Sequence, residues 1–110
     1  MAPAMESPAL VPLLTRMARE NAHAWLTNFK LLRAPDPPTA ARLDQIKAPT
    51  LLVVGDRDTP TIHAVVDTLA RRLANPTTVV IPGAGHLANL ENPARFDAEV
   101  LAFLRHTGRP

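Results

Sequence analysis

Two short segments of this 110-residue sequence bring together residue types that can move protons. Gly55-Asp56-Arg57-Asp58-Thr59-Pro60 offers two carboxylates, and Pro82-Gly83-Ala84-Gly85-His86-Leu87 offers an imidazole. A carboxylate that accepts a hydrogen bond from imidazole Nδ1–H fixes the ring tautomer and leaves Nε2 free to take a proton. Such a pair needs a third group to act on, usually a hydroxyl or thiol. The plainer reading is that Asp serves a turn by bonding local N–H groups, and that Gly-Ala-Gly-His is a flexible turn with a solvated ring. Spacing alone leaves both readings open, and it leaves Asp56 and Asp58 both eligible as the acid.

What sharpens the case is where the two segments fall. Thr50-Leu51-Leu52-Val53-Val54 and Thr77-Thr78-Val79-Val80-Ile81 are β-branched and Leu-rich runs that end where the two segments begin. The apolar runs do not alternate with polar residues, so both read as strands buried on both faces of a parallel sheet. Between them Ile62, Val65, Val66, Leu69 and Leu73 recur at helical spacing, and Asn75-Pro76 stops the helix. A last helix opens with Asn92 as N-cap and Pro93 at its first position, with Phe96, Val100, Phe103 and Leu104 as its buried face and Gly108 at its end. Strand, helix, strand, helix is a parallel βαβ unit followed by a helix. In open parallel sheets, ligands sit beyond the carboxyl ends of the strands, where Asp56, Asp58 and His86 stand.

The N-terminal part reads differently. Leu10, Leu13, Leu14, Met17, Trp25, Phe29 and Leu32 mark one long helix or two shorter ones. Ala34 to Ala41 is a linker with three prolines in four positions, which forbids a regular helix, and a short turn or helix at Ala41–Ile46 follows it. The expected organisation is therefore a helical lead and Pro-rich linker over 1–41, then an α/β unit over 42–110. A two-stranded parallel sheet leaves two open edges. The expectation is that this unit is the end piece of a larger doubly wound sheet.

Composition removes other classes. The formal net charge is +2, with 12 Lys+Arg against 10 Asp+Glu, and the cations are scattered. No basic stripe carries interleaved aromatics, so nucleic acid is not an expected partner. No apolar run approaches the roughly 20 residues that cross a bilayer, so no membrane association is expected. There is no Cys and no metal-ligand pattern or cofactor motif, so neither a metal nor an organic cofactor is expected. With no signal peptide visible, a cytoplasmic protein is the expectation.

Ala48-Pro49-Thr50-Leu51-Leu52-Val53-Val54-Gly55-Asp56-Arg57-Asp58-Thr59-Pro60 resembles the segment that delivers the triad acid in the α/β-hydrolase family. Ile81-Pro82-Gly83-Ala84-Gly85-His86-Leu87-Ala88-Asn89-Leu90-Glu91-Asn92-Pro93 resembles the segment that delivers its histidine, and Phe96 to Leu104 its closing helix. The resemblance spans residues 42–104, with the acid 28 positions before the histidine. The helices before residue 33 resemble the end of that family's cap. The resemblance implies an α/β fold, with this chain as the C-terminal βαβα part of the doubly wound sheet behind a cap-like helical segment. It implies Asp58 as acid, Asp56 as a second-ranked turn residue, and His86 as general base. Gly83 and Gly85 would bend the backbone around His86, Leu87 would pack beside the site, and Trp25 is either a pocket residue or a core anchor. His23, His63 and His106 have no partner pattern, and His63, one position off the apolar stripe of its helix, is expected on a solvated face.

One component of that family's machinery is not in these residues. The nucleophile sits on Gly-x-Ser-x-Gly, whereas the single serine is Ser7, within Glu6-Ser7-Pro8, and the first glycine is Gly55. The expectation is a hydrolase of the ester or lactone type, Ser-His-Asp in mechanism, represented by a C-terminal fragment that is inactive alone. Its small-molecule substrate would be handled once an upstream half or a complementing chain supplied the nucleophile, and the exposed sheet edge is expected to join a complementing chain or an oligomer. The alternatives are a non-catalytic pseudoenzyme and a partner-binding α/β module.

Overall fold

The structure is a computed structural model that describes residues 3–108; for Pro3, Met5, Trp25, Leu26, Phe29 and Lys30 it describes the backbone alone. A 3₁₀ turn at Pro3–Glu6 leads into α1 (Val11–Glu20) and α2 (Ala22–Leu31). The apolar stripe is thus two helices. Asn21 separates them, with its backbone N–H and its side-chain amide both donating to the Met17 carbonyl, at 3.1 and 2.8 Å. The Pro-rich segment is irregular until a 3₁₀ helix at Thr39–Gln45. Then come β1 (Thr50–Gly55), α3 (Pro60–Arg72), β2 (Pro76–Ile81), a single turn α4 (Ala88–Glu91) and α5 (Pro93–Thr107).

β1 and β2 pair in parallel from Thr50 opposite Pro76 to Gly55 opposite Ile81, and they form the two-stranded sheet of the described residues. The register brings both strands to their carboxyl ends together, so the two following loops start side by side. α3 packs on both strands and α5 on β2. Helix starts follow local chemistry. Thr59 accepts from Ile62 N–H ahead of Pro60, and Asn92 accepts from Arg95 N–H ahead of Pro93, each at 3.4 Å.

The core lies at the carboxyl end of the sheet. Ile81 and Ala84 have no exposed surface, Ala88 is buried beside them, and Val53, Val79 and Phe96 close over the cluster. Away from this point burial falls off, and two expectations fail. β2 is not buried on both faces: Thr77 and Thr78 are exposed, and Val80 is 48% exposed. An apolar strand is covered only where another layer lies on it, and the described helices leave part of this sheet bare. Leu104 is also 55% exposed, whereas Phe96, Val100 and Phe103 are half-buried. Eight residues on from Phe96, Leu104 is turned about 80° around the helix and falls off that stripe.

The size of the bare surface is measurable. A folded monomer of this mass exposes about 5,900 Å², whereas this chain exposes 8176 Å². Its radius of gyration is 16.4 Å, against about 13 Å for a compact domain of this length. No described helix is long and apolar enough to cross a membrane.

Candidate active site

The loop after β1 is held to the loop after β2 by backbone contacts. Asp56 N–H donates to the Ile81 carbonyl at 3.0 Å, and Arg57 N–H to the Ala84 carbonyl at 2.8 Å. The loops come so close that an added Cβ on Gly55 would lie 2.2 Å from the Ala84 oxygen and 2.4 Å from that of Gly85. Gly55 is therefore required by close approach, a glycine role that its place at a strand end does not reveal. Gly83 supplies the one left-handed turn among the described residues, with φ of 71°. Gly85 does not adopt positive φ.

This clamp carries the Asp58 carboxylate to the His86 ring. Asp58 Oδ2 lies 3.0 Å from His86 Nδ1, and Asp58 Oδ1 accepts from Thr59 N–H at 2.7 Å. Asp56, the other carboxylate of the segment, is exposed, and it is Asp58 that meets the ring. The Asp58 side chain is 6% exposed and the His86 side chain 65%. Burial pushes the Asp58 pKa up. The His86 hydrogen bond, the Thr59 N–H and the positive charges of His86 and His63 pull it down more strongly, and the net direction is below the ordinary carboxylate value. His63 is half-buried in the first turn of α3 and contributes to this field. It is thus not a purely solvated residue, because the first turn of α3 starts from the Asp58 loop.

With Nδ1 engaged by an ionised carboxylate, the neutral ring carries its proton on Nδ1, and Nε2 is a lone-pair acceptor on the opposite, open edge. A hydroxyl brought to Nε2 would find a base there. The serine in these residues is not so placed. Ser7 lines a cleft of about 320 Å³ with Arg57, Gly83, Leu90 and Glu91, and neither Asp58 nor His86 lines it. Leu87 is half-buried beside His86 in sequence, His23 and His106 are exposed, and the Trp25 side chain lies outside the described residues. Among the described residues, no three His, Asp or Glu side chains gather as a metal site requires.

The sequence reading missed two residues here. Glu91 Oε2 accepts from both Gly85 N–H and Leu87 N–H at 3.0 Å. Asn92, read as an N-cap, also donates from Nδ2 to the Pro82 carbonyl at 3.0 Å. Their signal was a polar pair six and seven residues beyond Gly85, on a helix too short for periodicity to show.

A model of the alpha/beta hydrolase family matches residues 2–99. The chain belongs to the alpha/beta hydrolase family. It is also similar to the solved structure of MenH from S. aureus, at a TM-score of 0.61 and 28% identity. That similarity covers 64% of this chain and 26% of MenH, so the chain spans about a quarter of the MenH length. No functionally curated protein matches it. The α/β-hydrolase fold expected from the two motifs is therefore the fold of this chain, and its parallel β1–α3–β2 unit is the part of the fold seen here.

Proposed function

We propose that this chain supplies the acid–histidine part of a Ser-His-Asp hydrolase acting on small carboxylic esters or lactones. The observation that carries the reading is the 3.0 Å contact between Asp58 Oδ2 and His86 Nδ1 at the joined tips of two parallel strands. In this reading His86 Nε2 accepts the proton of an attacking hydroxyl as its oxygen bonds to the substrate carbonyl carbon. His86 then returns that proton to the departing alcohol oxygen, while Asp58 holds the ring and stabilises the imidazolium. The attacking hydroxyl comes from polypeptide other than these 110 residues, either a further segment or a separate chain.

The bare surface supports such a joining. β1 reads as an interior strand, half-buried to buried along its length, whereas β2 carries exposed Thr77, Thr78 and Val80 like an edge strand. The free edge of β1 is therefore the side on which a complementing segment would add strands.

The test is reconstitution with a segment that carries a strand and a Gly-x-Ser-x-Gly turn, scored by hydrolysis of a p-nitrophenyl ester. His86→Ala abolishes the rate, Asp58→Asn lowers it by up to about 10⁴, and Asp56→Asn changes it little. Equal rates in wild type, His86→Ala and Asp58→Asn would remove both roles. A second reading is a partner-binding pseudoenzyme, favoured by the isolated context of Ser7. It predicts a stable complex in which no ester is hydrolysed even when a Gly-x-Ser-x-Gly segment is present.

A further inference from the structure

The histidine loop is fixed from behind by one carboxylate, and the mechanism proposed above does not use it. Glu91 Oε2 receives the N–H groups of Gly85 and Leu87, the two residues that flank His86, each at 3.0 Å. A single acceptor bridging the peptides on either side of a residue restricts that residue's φ and ψ, and hence the direction of its Cα–Cβ bond. Glu91 is well placed to do this. It closes the one-turn helix α4, whose Ala88 sits in the core cluster, and Leu90 and Glu91 N–H groups both bond the Leu87 carbonyl at 2.9 Å. The other carboxylate oxygen, Oε1, is buried and has no hydrogen-bond partner among the described residues.

We infer that Glu91 is a positioning residue that aims His86 at Asp58. The inference rests on the reading of Asp58 and His86 as a working pair, and it adds a group that touches neither substrate nor the ring. Without the bridge, His86 turns through several backbone orientations. The Nδ1 contact to Asp58 is then intermittent, and the ring tautomers mix.

The measurement is the pair of ring ¹⁵N shifts of His86 above the pH at which the ring is neutral, with the amide ¹H shifts of Gly85 and Leu87. In the wild-type chain Nδ1 carries the proton, and both amide protons lie downfield, as bonds to a carboxylate require. Glu91→Ala and Glu91→Asp, the latter too short to span both amides, lose the downfield shifts and mix the tautomers. Glu91→Gln keeps the Nδ1–H tautomer, because its carbonyl oxygen replaces Oε2 and no bond of Oε1 is broken. Should Glu91→Ala fail to fold, the contrast of Asp with Gln decides. Phe96→Leu loosens the same core without touching the bridge and keeps the tautomer. In the reconstituted hydrolase, Glu91→Asp lowers kcat by about 10²-fold with KM little changed.

An unmixed Nδ1–H tautomer in both Glu91→Ala and Glu91→Asp would overturn the inference, as would equal mixing in Phe96→Leu. These outcomes differ from failure of the pair itself, in which the wild-type tautomer is indifferent to Asp58→Asn.

Discussion

The two ends of this chain are built differently. From β1 to the start of α5, the loops are joined by short backbone bonds, and Ile81 and Ala84 are fully buried. Over the helical lead and linker, up to residue 41, the described buried side chain is Ala4, while Leu31 and Leu32 are each 72% exposed. The first region has a local reason for its geometry, since each loop is the other's hydrogen-bonding partner. The second has apolar side chains that no described layer covers, Leu31 and Leu32 among them. The contrast teaches that the tip geometry is set by bonds between the two loops, whereas the described helices of the lead bury little of their apolar surface.

That contrast breaks most readily at the core. Ile81→Ala removes the largest fully buried side chain and is expected to cost about 2–5 kcal/mol, read as a fall in the urea midpoint. Gly55→Ala is expected to cost about 1–3 kcal/mol, because backbone oxygens rather than a yielding side chain meet the new Cβ. It also parts the loops, so the Asp58–His86 contact is lost in variants that still fold, which ring ¹⁵N shifts would register.

A smaller effect is set by pH. The folded-state pKa of Asp58 lies below its unfolded value. The stability it contributes is therefore fully present above the unfolded carboxylate value of about 3.9 and is lost as pH falls through the folded one. Urea midpoints measured from pH 5 to pH 2 should drop more in wild type than in Asp58→Asn, which lacks that group. The smallest effect belongs to the other region. Leu31→Ser with Leu32→Ser should alter the unfolding free energy by no more than about 0.5 kcal/mol per site. A larger loss would mean that these leucines are packed in the isolated chain and that the contrast is false.

Much of the fold was legible because it follows from local pattern. The apolar runs at 51–54 and 79–81 read as strands because they are short, rich in β-branched residues and bounded by turn residues, and Asn92-Pro93 marks a helix start. That a carboxylate of residues 55–60 and the His86 ring would be neighbours was legible, because parallel strands deliver their following loops to one edge. The choice between Asp58 and Asp56 came from resemblance, and a distance was needed to show which carboxylate meets the ring. The exposure of Val80 and Leu104 was not legible, since burial depends on which layers lie alongside and not on the residue. Nor was the grip of Glu91, which joins residues through backbone N–H groups that no side-chain pattern records.

The central claim is that Asp58 holds His86 with its proton on Nδ1. Long-range ¹H–¹⁵N spectra of the ring in the wild-type chain test it most directly. The account predicts a protonated Nδ1 and a lone-pair Nε2, giving way to mixed tautomers in Asp58→Asn. A ring that is protonated on Nε2, or that gives the same spectrum in both proteins, would contradict it.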